Sequence, residues 1–397
     1  MNQPATVLIV WNFVPCETTG AGIILRRLFQ DYPQEKLWLL TSSVAARAAA
    51  NHDPVPKPQF RREIWQAFFP HRYVDRAAEL INALLTPFVA WRGKNLVRAI
   101  KAQVLFAVPW NASCVAAWLI HRWTRIPLHI YIMDDPAGAP AYPAWKAIPY
   151  RALMPRILRA ASRVWCVSEP MAENIRKRYG VDAQPLLPLL DVQEFIAQSV
   201  KETERPTGKA CIVYTGAIYD AQLDALQNLA AALNGAGFTQ SDAADARLLL
   251  YTSVTEPMLR RMKLSGSRIH RAHVPIAEIP RVLAEADILF LPFSFDPRMR
   301  HVTETSLPTK LSEYLASGVP ILVHAPPYAT VARYCRDYEC GVVVDEKDPE
   351  KLLAAVQQLL SDRSLRTKLS ERARAVACEN HDLRKGRIRF YESLAVR

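Results

Sequence analysis

Short apolar runs alternate with stretches of helical periodicity along almost the whole chain. In the first half the runs fall at residues 6–13, 37–41, 104–108, 129–133, 163–167 and 185–190. Each has the length of a fully buried strand. Between them, residues 22–29, 64–100, 114–124, 150–160 and 170–179 repeat apolar positions at helical spacing. A polar stretch with Pro and Gly, VKETERPTGK at 200–209, interrupts the pattern and reads as a linker. The alternation then restarts, with strands expected at 210–215, 247–252, 268–272, 288–292, 321–323 and 341–344. Helices are expected at 222–233, 256–262, 277–285, 310–316 and 349–360, and a charged helical stretch at 364–394.

This alternation predicts parallel sheets covered by helices on both faces, an α/β class with two Rossmann-like doubly wound domains. The expected organisation is a first domain at 1–199, a second at 210–378 and a terminal helix at 379–397. Doubly wound sheets bind ligands at the carboxyl ends of their strands, so a cleft between the domains is the expected site.

The stretch 303–327, TETSLPTKLSEYLASGVPILVHAPP, carries the densest set of local signals. Ser306 is an expected N-cap, with Pro308 just inside the helix, where its missing N–H costs nothing. Leu311, Tyr314 and Leu315 recur at helical spacing, and Gly318 supplies a left-handed stop. Thr309, Lys310 and Glu313 lie in the first turn. A helix N-terminus with a lysine attracts anions, and a carboxylate one turn on can accept hydrogen bonds from a diol. Phosphate and diol together suggest a nucleotide; an ordinary capped surface helix is the alternative.

Composition bounds these readings. Among 397 residues, 50 Lys and Arg face 38 Asp and Glu, a formal charge of +12, which points to anionic partners. Half the residues are hydrophobic and 22% are charged, a globular balance with length for two or three domains. Seven cysteines show no C-x-x-C pair and no metal spacing, so a reduced, cytoplasmic protein is expected. The first residues read as a strand rather than a signal peptide, and no apolar run of about 18 residues is present.

Three further features bear on chemistry. Gly20 and Gly22 open a helix directly after the first strand, where backbone can approach an anion; a tight turn without a ligand is the alternative. Asp134 and Asp135 end a strand and could act as a base, orient an acceptor hydroxyl or hold a metal, against the alternative of a simple Asp-Asp-Pro turn. Residues 57–101 hold nine basic and three acidic side chains interleaved with Phe60, Trp65, Phe68, Phe69, Tyr73, Phe88 and Trp91. Such a helical segment suits an anionic membrane surface; the alternative is a helix pair with its aromatics packed inward. No nucleic-acid motif accompanies it, so nucleic acid is not the expected partner.

Taken together, the segments FVPCETTGAG, VWCVSEPMAENIRKRYG, LPLLDVQEF, IVYTGAIYD and ADILFLPF, followed by LPTKLSEYLASGVPILVH, resemble the GT-B glycosyltransferases of the family 4 type. The resemblance runs along nearly the whole chain. It implies metal-independent transfer of a sugar from a nucleotide donor, with no resident cofactor, and a terminal helix that returns to the first domain. By that match Glu313 binds the donor ribose, Gly216 lets the diphosphate approach, and Asp134 or Asp135 takes the acceptor-side position. Relatives carry an Arg and a Lys after the glycine turn, whereas GAIYDAQLDAL here has none. The first glutamate of the family's E-x7-E pair falls at Thr305, with Glu304 adjacent. A diphosphate still needs positive charge, and Lys310, Arg298 and Arg300 lie near the donor helix in sequence.

The function expected is therefore a retaining hexosyltransferase using a UDP-, GDP- or dTDP-linked sugar. Its acceptor would be a glycan or lipid-linked saccharide in cell-surface polysaccharide synthesis, at the inner membrane face. The alternatives are a sugar-nucleotide epimerase of the same fold and a catalytically degenerate subunit that binds a partner transferase at the membrane.

Overall fold

The computed structural model describes residues 3–11, 14–15, 19–42, 61–65, 75–109, 112–135, 144–199, 210–235 and 246–395. The expected linker 200–209 lies outside them. The chain divides into two compact units, one of residues 1–187 with 384–397 and one of residues 188–383. The division thus falls upstream of the expected linker, and the helix Val192–Gln198 belongs to the second unit.

The first unit is built on a seven-stranded parallel sheet. Its strands are β1 (Val7–Val10), β2 (Leu37–Ser42), β3 (Arg61–Trp65), β4 (Val104–Ala107), β5 (Leu128–Ile132), β6 (Arg163–Cys166) and β7 (Ala183–Pro185), in the order β3-β2-β1-β4-β5-β6-β7. β1, β4 and β5 are buried along their whole length, which explains why they read as continuous apolar runs rather than alternating ones.

Three sequence expectations are corrected in this unit. Residues 61–65 form an edge strand on β2, not the start of a helix, and the helix begins at Asp75. An edge strand needs no apolar run, so RREIW carries no strand signature. The strand expected at 185–190 instead ends at Pro185: Leu186 N still donates to Cys166 O at 2.7 Å, but Pro188 has no N–H to carry the ladder further. Leu190 pairs elsewhere, bridging in parallel to Asp382 within the second unit.

The second unit repeats the architecture with six parallel strands, β8 (Cys211–Thr215), β9 (Arg247–Tyr251), β10 (Ile269–Ala272), β11 (Ile288–Pro292), β12 (Ile321–His324) and β13 (Val342–Val344). Their order is β10-β9-β8-β11-β12-β13. Over one face of this sheet the core gathers Tyr214, Leu248, Leu250, Phe290 and Leu322 from the strands with Leu226 and Leu229 from the helix Asp220–Asn234. The helix Thr330–Asp337 is an element for which the sequence reading made no provision.

The terminal stretch splits into the helices Arg363–Asn380 and Leu383–Leu394. Residues 384–397 belong to the first unit. There the Phe390 ring is fully buried and meets Phe29 edge-on at 5.3 Å and Phe106 at 5.7 Å. Tyr391 donates to the Leu28 carbonyl at 2.8 Å, and the Arg387 guanidinium donates to Arg27 O at 2.9 Å and pairs with Asp31. A cation at the end of the helix Gly20–Phe29 complements its unsatisfied carbonyls.

Candidate functional site

The strand order of each sheet reverses direction at one point: between β1 and β4 in the first unit and between β8 and β11 in the second. Loops diverge there at the carboxyl ends of the strands and leave a crevice for a ligand. In the second unit, Gly216 follows β8 directly, and the helix Lys310–Ser317 lies between β11 and β12.

Gly216 has φ 108°, a conformation that side-chain-bearing residues rarely adopt, and its amide donates to Tyr251 O at 2.8 Å. The space a Cβ would take there is already bounded by Lys310, whose Nζ would lie 3.3 Å from it. The same Nζ sits 3.9 Å from the centre of the Tyr214 ring. Tyr214 in turn donates to Ala217 O. The Thr215 amide donates to the Tyr314 hydroxyl at 3.0 Å, and Thr215 Oγ1 lies 3.3 Å from that oxygen. Strand end, glycine turn and helix are therefore tied together by two buried phenols, which burial keeps neutral by pushing both upward.

Lys310 retains some accessible surface, but its ammonium is enclosed, and desolvation pulls it down to about 7 from the ordinary lysine value. The Glu313 carboxylate opposes this and favours the charged form. A phosphate beside such a lysine would favour its charged form further.

The helix itself starts later than expected. Lys310 is its first residue, Thr309 stands at the cap without a side-chain capping bond, and Gly318 ends it with φ 68°. Ser306 does not cap it; its hydroxyl is buried without a hydrogen-bond partner. Pro308 explains the shift, because the residue before a proline is held out of the helical region. The chain enters through a tight turn with Leu311 N on Pro308 O at 3.0 Å.

The other expected site residues are distributed differently. Arg298 is bound to Asp296 through several hydrogen bonds, Nη2 to Oδ2 at 2.6 Å among them. Arg300 pairs with Glu304 at 2.9 Å and lies 4.6 Å from the Tyr328 ring centre. Thr305 is buried and donates to His301 O at 2.7 Å. In the first unit, Gly20 and Gly22 open the helix Gly20–Phe29, whose Gly22 amide donates to the Thr19 hydroxyl at 3.2 Å. Asp134 is exposed past the end of β5. Asp135 is buried, with Arg178 3.1 Å from both its oxygens and Asn174 at 3.4 Å.

The structure thus brings Gly216, Lys310 and Glu313 together and gives Arg298, Arg300 and Asp135 partners of their own. Sequence reasoning missed Tyr214 and read Tyr314 only as part of the helix's apolar face. The available signal was a tyrosine one residue before a strand's end and another opposite it on the helix. His324, by contrast, is structural: it is buried, 2.9 Å from Val344 O and 3.1 Å from Asn228. Among the described residues, no three His, Cys, Asp or Glu side chains converge as metal ligands.

Two doubly wound parallel sheets in one chain, the second with a lysine at its switch point, define an α/β protein of the class that binds ligands at such crevices. The comparisons with known proteins narrow that class. The family described as glycosyl transferases group 1 matches residues 267–376, and the glycosyl transferase 4-like domain matches residues 39–189. Together they take in well over half of the chain, which belongs to the group 1, GT-B fold family of nucleotide-sugar glycosyltransferases.

Solved structures agree on the fold. Alr3699/HepE of Anabaena, in complex with UDP and glucose, matches with TM-score 0.67 and 12% identity over 99% of this chain and 100% of that one. Sucrose-phosphate synthase of Thermosynechococcus elongatus gives TM-score 0.71 and 15% identity, with 97% of each chain covered. WaaG, a glycosyltransferase involved in lipopolysaccharide biosynthesis, gives TM-score 0.62 and 15% identity over 98% of this chain and 99% of that one. The comparison with curated proteins gave no significant match.

Proposed function

We propose that this transferase moves a hexosyl group from a UDP-, GDP- or dTDP-linked sugar to a glycan or lipid-linked saccharide, without a metal and with retention at the anomeric carbon. The observation that carries the donor half is the Lys310 ammonium held against Gly216 at the switch point of the second sheet. It stands where the family's basic pair is missing from the sequence after the glycine. Anabaena Alr3699/HepE was solved with UDP and with UDP-glucose, which puts UDP first among the nucleotides to test.

In this reading Gly216 admits the diphosphate to the helix N-terminus, Lys310 and Thr309 contact it, and Glu313 binds the ribose. The bond from the anomeric carbon to the diphosphate oxygen breaks, and the acceptor oxygen bonds to the same face. The leaving oxygen takes the acceptor's proton, and the charge that develops on the diphosphate is stabilised by Lys310 and the helix dipole. Arg298 and Arg300 join only by releasing Asp296 and Glu304. Of the two aspartates, Asp134, exposed past the end of β5, orients the acceptor, while buried Asp135 is held by Arg178. The setting we propose is cell-surface polysaccharide synthesis at the inner membrane face.

Calorimetry with UDP, GDP and dTDP in EDTA tests this directly. One of the three is expected to bind, and Lys310→Ala to weaken it at least about tenfold, about 1.4 kcal/mol, without loss of fold. Absence of binding by all three at millimolar concentration would leave the degenerate partner-subunit reading in its place.

A further inference from the structure

The helix Asp75–Ile100 presents two unlike faces. Toward the sheet it buries Val89, Ala90 and Val97, and Gly93 fits so closely against the neighbouring helix Ala112–Thr124 that an added Cβ would lie 2.3 Å from Ile120 Cδ1. This contact fixes which side of the helix turns outward. On that side Leu84 is 71% exposed, Phe88 54% and Trp91 52%. They follow one another at spacings of four and three, a single stripe about 10 Å long. The Phe88 and Trp91 rings stack on each other at 5.9 Å instead of turning into the core.

The charge along the chain that carries this stripe has one sign. From Leu80 to Met133 the chain contains no Asp or Glu, yet six Lys and Arg, at 92, 94, 98, 101, 122 and 125. Helical geometry puts Arg92 and Lys94 on opposite flanks of the stripe and exposed Arg98 in line with it. The second helix adds Trp123, 42% exposed, beside Arg122 and Arg125.

We propose that the outward faces of these two helices form a docking surface for an anionic lipid bilayer. Leu84, Phe88 and Trp91 would enter the boundary between headgroups and acyl chains, and the flanking cations would meet lipid phosphates. The single sign of charge beside an exposed aromatic stripe matches an anionic bilayer, whose headgroup phosphates lie over an apolar interior that can receive Leu84, Phe88 and Trp91. The surface deepens the proposed function by naming how the protein reaches a lipid-linked acceptor, and it rests on that reading only for its purpose, since the docking geometry involves no donor residue.

Flotation of the full chain with phosphatidylcholine vesicles, with and without about 30% phosphatidylglycerol, tests it. Binding is expected only with the anionic lipid, falling at least about fivefold on raising salt to about 0.5 M. Phe88→Ser with Trp91→Ser is expected to reduce binding at least about tenfold. Lys94→Gln with Arg98→Gln is expected to reduce the preference for anionic lipid by a similar factor. UDP titration should be the same in all these variants, which separates failure of the surface from failure of the donor site. Absence of vesicle binding at low salt would overturn the proposal. So would full binding by the Phe88/Trp91 variant, or a concentration-dependent dimer, abolished by that variant, in place of vesicle binding.

Discussion

At the scale of single residues, the site turns on one lysine and one glycine. Desolvation lowers Lys310 to about 7, with Glu313 opposing, so above that pH much of the free protein carries a neutral amine. A bound diphosphate favours the ammonium, so binding takes up a proton above pH 7. Nucleotide affinity is therefore expected to fall as pH rises from about 7 to 9. Calorimetry in buffers of different ionisation enthalpy should show the proton uptake, and Lys310→Ala should abolish it. Gly216→Ala puts a Cβ 3.3 Å from the lysine Nζ in a backbone held at φ 108°. It is expected to weaken the nucleotide at least about tenfold and to cost about 1–3 kcal/mol of stability, read by denaturant unfolding. The sequence showed Gly216, Lys310 and Glu313 as candidates, because motif and helix signals are local. It could not show that Arg298, Arg300 and Asp135 would find partners in Asp296, Glu304 and Arg178, since those pairings depend on folded geometry.

Elements were legible where burial is complete. β4, β5, β11 and β12 lie close to their expected positions because strands covered on both faces must be apolar throughout. The edge strand β3 escaped notice because an edge position places no such demand on RREIW, and β7 was misplaced because Pro188 has no N–H to extend its ladder. The helix Asp75–Ile100 was legible as a helix, but which way its aromatics faced depended on Gly93. A methyl at Gly93 would gain about 1 kcal/mol in helix propensity. It would collide with Ile120 and Leu40, so Gly93→Ala is expected to destabilise the protein by about 1–3 kcal/mol net in urea unfolding.

For the whole molecule, two units with the same winding explain why the hydrophobic pattern restarts midway and why the charged C-terminus is not a tail. Its last helix completes the first unit through Phe390 and Arg387. Within the second unit, fully buried His381 holds Pro188 O at 2.7 Å and the Tyr334 hydroxyl at 3.0 Å. Burial lowers it to about 4, against a weaker upward pull from the Pro188 hydrogen bond. The unfolded chain binds this proton below about 6.5 and the folded protein only near 4, so stability falls as pH drops through that window. Acid unfolding is expected to be less steep in His381→Gln than in the wild type across pH 6.5 to 4. The central claim is that the second unit holds a nucleoside diphosphate at Gly216 and Lys310. A crystal structure with UDP bound tests it most directly. A diphosphate oxygen is expected within hydrogen-bonding reach of Lys310 Nζ, beside Gly216, with the ribose hydroxyls on Glu313. A nucleotide bound elsewhere, with Lys310 still resting on the Tyr214 ring, would contradict it.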